Sequence, residues 1–259
     1  MIIFFCLLSN NFRYVRLHPE QANMEWTTIL NEPQVDGSIA QVYLLRGYIQ
    51  NGKEIVAEIE ATPKEYVVQR HPMFCKQPKK VLLRETIWCA YDGSTYKYSG
   101  THNKSIPVPH PLVKQFGDDV ERLVSEKLGN CRIQAYLINK YANGTESINH
   151  HCDDEKDLGD RPVIVSASFG ETRVFELKAM TDTLRRKQCK AKDRPFIPNP
   201  NYKCRVIPIE LCDGDVLVMA GSTQEFFTHA LPPSKKSGLR INVTFRPHLT
   251  ISSHKKPRK

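Results

Sequence analysis

The stretch Leu239-Arg240-Ile241-Asn242-Val243-Thr244-Phe245-Arg246 alternates without a break between apolar and polar residues. On an extended chain, side chains two apart share a face. The pattern predicts a strand over 239–246 with Leu239, Ile241, Val243 and Phe245 against a core, and with Arg240, Asn242, Thr244 and Arg246 on the other face. A polar stripe of this kind suits a solvent face. Two arginines on a rigid strand also suit a carboxylate ligand, because a guanidinium fork grips a carboxylate through two parallel hydrogen bonds. The residues just upstream bear on the choice. Asp215 to Gly221 reads as a buried strand and leads into Phe226-Phe227-Thr228-His229-Ala230-Leu231-Pro232. His229 therefore sits in an apolar run with no local acid partner.

A second informative stretch runs from Asn139-Lys140-Tyr141 to Ile148-Asn149-His150-His151-Cys152-Asp153-Asp154-Glu155. His151 and Asp153, two apart, can reach one ion from an extended segment. Alone, such a pair is weak, and a surface histidine beside an acidic turn is the plainer reading. His229 alone reads equally well as core filling. Together the three supply two imidazoles and one carboxylate, the facial set that suits non-haem Fe(II) and leaves coordination positions open. His150 is a neighbouring alternative to His151, although Asp154, three residues from His151, falls on the wrong face for that register. Asn139 and Tyr141 alternate onto one face as well, where they can add hydrogen bonds to a ligand held by Arg240 and Arg246.

Around these stretches the chain reads mostly as short strands, at 41–49, 54–60, 95–99, 131–138, 162–168, 172–177, 204–210 and 214–220, punctuated by Gly, Pro, Asn and Asp. A helix is predicted over 19–31, where Ala22, Trp26, Ile29 and Leu30 recur at helical spacing. A second is predicted over 111–128, with Phe116, Val120, Leu123, Val124 and Leu128 on one face and Gly129 placed to end it. The stretch 182–203, with Arg185, Arg186, Lys187, Lys190, Lys192 and Arg194, lacks periodicity and reads as a long basic loop, either a solvated insertion or a phosphate contact. The whole predicts a mainly β (α+β) fold, an antiparallel barrel or jelly roll with helices packed outside. Residues 1–75 form an N-terminal extension in this reading, 76–250 the main domain and 251–259 a basic tail.

The 259 residues carry 37 Lys and Arg against 28 Asp and Glu, a formal net charge of +9. That surplus suits an anionic partner, nucleic acid first and a membrane surface second. No apolar run is long enough to span a bilayer, and the composition excludes a collagen-like fibre, a coiled-coil rod and a largely disordered chain. Eight scattered cysteines without a CxxC pair read as reduced thiols of a nuclear or cytosolic protein. Met1 to Leu8 lacks a basic leader and reads as a buried strand or a loose end rather than a signal peptide. Lys255-Lys256-Pro257-Arg258-Lys259 is a basic cluster of nuclear-import type, which places the protein in the nucleus, with the cytoplasm second.

In order and spacing, Asn139-x-Tyr141, His151-x-Asp153, His229 and the Arg240–Arg246 pair resemble the AlkB family of Fe(II)/2-oxoglutarate dioxygenases, which oxidatively dealkylate nucleic-acid bases. Asp153-Asp154-Glu155, Ser166-Ala167-Ser168-Phe169-Gly170, Arg173-Val174-Phe175-Glu176 and Gly221-Ser222-Thr223-Gln224 are similar too. The likeness is strong over 130–247 and extends to 78 through Pro78-Lys79 and Tyr96-Lys97-Tyr98-Ser99-Gly100. It is closest to the animal homologues acting on 1-methyladenine and 3-methylcytosine. The resemblance implies a double-stranded β-helix (jelly roll) with flanking helices. It also implies Fe(II) on His151, Asp153 and His229, and 2-oxoglutarate on Arg240 and Arg246, with Asn139, Tyr141, Asn242 and Thr244 beside it. With O2, decarboxylation of 2-oxoglutarate to succinate would be coupled to hydroxylation of the N-methyl carbon and release of formaldehyde.

The target base must leave its stack to reach the iron. By the same resemblance it would lie between Tyr98 and His151, with Tyr96 near the phosphate and with Asp154 and Glu155 reading the exocyclic nitrogen. The sequence shows no apolar wedge to open a duplex, so the expected partner is DNA or RNA carrying methylated bases, single strands preferred, and the expected state is a monomer off the membrane. Two other readings stay open. One is the same chemistry on a protein side chain, which the basic balance and Tyr96/Tyr98 disfavour. The other is a nucleic-acid-binding module that has lost catalysis, which the intact donors and both arginines disfavour.

Overall fold

The alternating segment lies near the centre of an eight-stranded antiparallel sheet. The computed structural model describes residues 25–68, 84–98, 101–235 and 238–249. Met1–Leu8, the first part of the predicted 19–31 helix, Pro78-Lys79 and the basic tail lie outside them. In chain order the first strands are β1 (Thr27–Pro33), β2 (Ile39–Leu45), β3 (Val67–Val68), β4 (Glu85–Ala90), β5 (Tyr96–Tyr98), β6 (Thr101–Asn103) and β7 (Ala135–Tyr141). They are followed by β8 (Ile148–His151), β9 (Ile164–Gly170), β10 (Arg173–Ala179), β11 (Val206–Leu211), β12 (Val216–Gly221), β13 (Phe227–Leu231) and β14 (Arg240–Arg246). The helices are α1 (Gly52–Glu60), α2 (Pro111–Leu128), α3 (Asp182–Ala191) and α4 (Thr223–Phe226).

The large sheet has eight strands in the order β1-β2-β12-β9-β14-β7-β4-β3, and the small one four in the order β11-β10-β13-β8. From β7 onward the chain passes from one sheet to the other at nearly every connection, which is the winding of a jelly roll. β5 and β6 form a separate hairpin. The two faces of β14 part company as their chemistry requires. Ile241, Val243 and Phe245 join a core with Val113, Phe116, Val120 and Val124 of α2, and the Phe116 and Phe245 rings lie 5.6 Å apart. Each such buried side chain contributes about 1.5–3 kcal/mol. α2 begins at Pro111, where Glu58 of α1 accepts the free N–H groups of Leu112 and Val113. It ends on Gly129 at φ 85. On its inner face the large sheet packs Leu44, Ile164, Leu217 and Met219 against Phe175, Leu177, Ile209 and Leu211 of the small sheet.

Three segments fold otherwise than their pattern suggests. Residues 27–31, read as helix, are strand: Thr27, Thr28 and Ile29 are β-branched, and β1 completes the sheet edge beside β2. Residues 54–60, read as strand, are the helix α1, in which Ile55 and Ile59, one turn apart, are the buried pair. The supposed loop at 182–203 contains α3, capped by the Thr181 side chain. Its inward residue is Arg185, whose guanidinium lies 4.1 Å over the Phe226 ring. A helix that buries an arginine leaves no apolar stripe to read. Residues 27–60, placed by the sequence in an extension, supply two strands and a helix to the same body.

Gly170 ends β9 at φ +78, and a Cβ there would stand 2.3 Å from the Leu239 carbonyl oxygen. Gly170→Ala is expected to destabilise the protein by about 1–3 kcal/mol, visible as a lower urea midpoint at unchanged m-value.

Candidate active site

Antiparallel pairing of β8 with β13 sets His151 directly opposite His229. Their rings lie 4.2 Å apart, and the His229 ring stacks on Phe175 at 5.4 Å. Asp153, two residues past the end of β8, brings Oδ1 to 3.9 Å from His151 Nε2. One donor atom from each of His151, Asp153 and His229 lies within 4.8 Å of the other two, close enough for all three to hold a single ion. The Nδ1 atom of His151 stands 2.8 Å from the Asn149 carbonyl oxygen, which places the ring proton on Nδ1 and leaves the Nε2 lone pair for a metal. Asp153 is fixed through its N–H, which donates to Gln224 Oε1 at 2.9 Å. His150 points to the opposite face of β8, where Nε2 lies 3.3 Å from Glu176, so the alternative register is excluded.

The protonation states also suit a metal. Burial, reinforced by His151, pushes the His229 pKa down to about 3, and burial lowers that of His151. Burial alone would raise Asp153, but Arg246, His229 and His151 outweigh it and hold the carboxyl below its usual range. At neutral pH the site therefore presents two neutral imidazoles and a carboxylate, the deprotonated donors that Fe(II) requires.

Between the sheets lies an open-mouthed cavity, about 620 Å³ of empty space when the solvent at its mouth is included. β14 contributes Arg240, Asn242, Thr244 and Arg246 to its wall, and β7 contributes Asn139 and Tyr141. Register explains the grouping: Arg240 pairs with Tyr141, and Asn242 with Asn139. Arg240 is 1% exposed. It donates to Ser168 Oγ at 2.8 Å and to the Glu171 and Leu211 carbonyls at 3.2 Å each, all neutral acceptors. Burial lowers its pKa to about 10, so it stays charged at neutral pH. It makes no ion pair among the described residues, and an anionic ligand end would supply one. Arg246 is engaged already, with Nη2 3.4 Å from Asp153 Oδ2 and Nη1 3.3 Å from the Tyr96 hydroxyl. Asn242 Nδ2 donates to Ser166 Oγ at 2.7 Å, and Thr244 donates to Asn242 Oδ1 at 2.8 Å.

The residues expected to read a base are placed unevenly. Tyr96 does not stand at an open, phosphate-facing surface. It is 2% exposed, its ring stacks on Trp88 at 4.6 Å, and its hydroxyl donates to Glu155 Oε1 at 2.6 Å. Asp154 turns from the cavity and accepts from Gln188 of α3 at 2.9 Å. Glu155 keeps one buried oxygen without a hydrogen-bond partner among the described residues, and burial raises its pKa. The backbone of Tyr98 pairs with Thr101, while its side chain lies outside what the structure describes. Arg84 escaped the sequence reading. It lines the cavity and donates from Nε to Asn139 Oδ1 at 2.6 Å, yet as a lone arginine ahead of a strand it carries no pattern. Ser166 and Ser168, two apart on β9, could have been found by the alternation that revealed β14.

The family profile of the 2OG-Fe(II) oxygenase superfamily matches residues 41–246. Alpha-ketoglutarate-dependent dioxygenase alkB homolog 3 of Homo sapiens is 33% identical over 165 residues, 63% of this chain and 51% of the relative. DNA oxidative demethylase ALKBH2 of Arabidopsis thaliana is 32% identical over 177 residues, 66% of this chain and 54% of the relative. The chain thus spans about half the length of the curated relatives it matches. The solved structure of OsALKBH1 aligns at a TM-score of 0.50 and 16% identity, covering 80% of this chain and 96% of that one, a likeness of fold.

His151→Ala, Asp153→Ala and His229→Ala are each expected to weaken Mn(II) binding by more than about 100-fold in calorimetry, with far-ultraviolet circular dichroism unchanged. A pH effect follows from His229. Its folded pKa of about 3 lies below the usual 6.5, so the unfolded chain takes up the proton first. Stability of the metal-free protein should therefore fall as pH drops from 6.5 toward 3, which denaturation at pH 7 and pH 5 will show.

Proposed function

Because this chain belongs to the 2OG-Fe(II) oxygenase superfamily, we propose that it is an Fe(II)- and 2-oxoglutarate-dependent dioxygenase that demethylates nucleic-acid bases, 1-methyladenine and 3-methylcytosine among them. The observation that carries the reading is one cavity holding both a His151–Asp153–His229 donor set and the buried cation of Arg240, which makes no ion pair among the described residues. Fe(II), when bound, supplies oxygen activation, and 2-oxoglutarate supplies the reducing electrons and leaves as succinate.

The chain's own residues do the rest. His151, through Nε2, Asp153 and His229 hold the ion. Arg240 takes the distal carboxylate of 2-oxoglutarate, with Tyr141 beside it and with Asn139, Asn242 and Thr244 along the same wall. Arg246 keeps Asp153 ionised while facing the cavity. The two sheets wall the cavity on opposite sides and leave access to the site through its mouth. A methylated base enters at the mouth near His151, the half-exposed member of the set, and hydroxylation of its N-methyl carbon releases formaldehyde. The net charge of +9 and the relatives named as demethylases support a nucleic-acid substrate, and we place the activity in the nucleus.

Single strands are the preferred form in this reading. Extruding a base from a duplex costs a few kcal/mol, whereas stacking on an aromatic side chain returns about 1–3 kcal/mol. Formaldehyde release over a panel of methylated single- and double-stranded oligonucleotides tests the proposal. The expected outcome is iron- and 2-oxoglutarate-dependent release, faster on single strands, and impaired by Tyr98→Ala. A methylated peptide as the better substrate would overturn it. Arg240→Lys should raise the KM for 2-oxoglutarate roughly tenfold or more, because an ammonium cannot form the bidentate grip, while oligonucleotide affinity holds.

A further inference from the structure

Arg173 opens β10 and is 2% exposed, among the most buried charges of the protein. It does not line the cavity, whose wall includes its neighbour Tyr141. Its guanidinium donates to three main-chain carbonyls, those of Asn143 at 3.4 Å, Glu146 at 3.0 Å and Pro232 at 2.6 Å. It also lies over the Tyr141 ring, 6.0 Å from its centroid. Asn143 and Glu146 belong to the connection from β7 to β8, and Pro232 directly follows β13. One side chain therefore fastens the end of the strand carrying Asn139 and Tyr141 to the start of one histidine strand and the end of the other.

The same corner is drawn together by two further hydrogen bonds. Ala142 N–H donates to Glu146 Oε2 and Ser234 N–H to the Gly144 carbonyl, each at 2.7 Å. The residues next to the fastened points are cavity residues. Tyr141 precedes Ala142, Ile148 lies two residues past Glu146, and Leu231 precedes Pro232; all three line the cavity, and Ile148 and Leu231 pair across β8 and β13. Burying a guanidinium is costly unless its donors are satisfied. Here Nη1 and Nη2 are satisfied by carbonyls from two segments, while Nε has no hydrogen-bond partner among the described residues.

On the reading of this cavity as the 2-oxoglutarate site, we propose that Arg173 is a positioning residue for the cosubstrate. It sets the Tyr141–Ile148–Leu231 wall against Arg240, so that the distal carboxylate meets a preformed site. Neither the ion nor the nucleic acid depends on it directly.

The test is calorimetric titration of 2-oxoglutarate into the full chain loaded with Mn(II), for wild type, Arg173→Met and Arg173→Lys, beside the KM values for 2-oxoglutarate and oligonucleotide. Arg173→Met is expected to weaken 2-oxoglutarate binding roughly tenfold or more, since a displaced supporting residue typically costs that much. Arg173→Lys should recover part of the loss. Mn(II) affinity, oligonucleotide affinity and kcat should stay within about twofold, so that the effect falls on the cosubstrate KM. A lower urea midpoint with unchanged 2-oxoglutarate affinity would overturn the proposal and leave Arg173 a stabilising clamp, and an equal loss of Mn(II) affinity would overturn it in favour of the metal strands. If Arg173→Met does not fold, Arg173→Lys, which keeps the charge and loses the fork, decides between the same outcomes. Wild-type protein that binds no 2-oxoglutarate would bring down the cavity reading and this proposal together; binding that neither variant alters would bring down this proposal alone.

Discussion

The contact between Arg246 and Asp153, 3.4 Å apart with both side chains buried, is the one on which the site rests. Left alone at that depth, the carboxyl would take up a proton, and a protonated acid is a poor ligand for Fe(II). The guanidinium is the largest influence against that preference, with His229 and His151 adding to it, and Asp153 in turn keeps Arg246 firmly protonated despite its burial. Removing either partner of such a buried pair leaves an uncompensated charge, a change that typically costs about 3–5 kcal/mol. The pair therefore fixes more than a ligand. Arg246 is the last residue of β14, so the register of β14 between β7 and β9 places the strongest of the groups that hold Asp153 ionised.

That dependence explains why a jelly roll suits the site. The small sheet supplies His151 and His229 as a cross-strand pair, and the large sheet supplies both arginines and their polar neighbours. Neither sheet holds a complete site. The cavity exists because the two inner faces meet, and the apolar contacts of Phe175, Leu177 and Leu211 with Leu217 and Met219 hold them at that separation. Core packing and site geometry are thus one constraint, since a shift between the sheets would move Arg240 relative to His229.

Much of this was legible in the sequence where a strand buries one apolar face and aims the other at the cavity. β14 announced itself by strict alternation, and α2 by an apolar stripe bounded by Pro111 and Gly129. The reading failed where burial broke those patterns. In α1, the β-branched Ile55, Val56 and Ile59 mask a one-turn repeat of two isoleucines. In α3 the inward residue is Arg185, stacked on Phe226, so no periodicity survives. Arg84 was invisible for a different reason. Its role exists only through Asn139, 55 residues away along the chain, and no local pattern records a tertiary partner.

The three consecutive acids show most clearly what pattern cannot give. Asp153, Asp154 and Glu155 are nearly the same group repeated, and each has a different fixed partner: Arg246, Gln188 and Tyr96. Gln188 donates also to the Gln224 carbonyl at 2.8 Å, and Gln224 holds the Asp153 N–H. The loop after β8 is thereby tied on one side to α3 and α4 and on the other to β5. A loop held at three successive side chains is preorganised, and preorganisation is what a metal ligand needs. It also separates the roles. Asp154 reaches a base only by giving up Gln188. Glu155 has one oxygen on Tyr96 and the other without a hydrogen-bond partner among the described residues. The geometry casts α3, in sequence an unpatterned basic stretch, as the support that keeps the ligand loop in place.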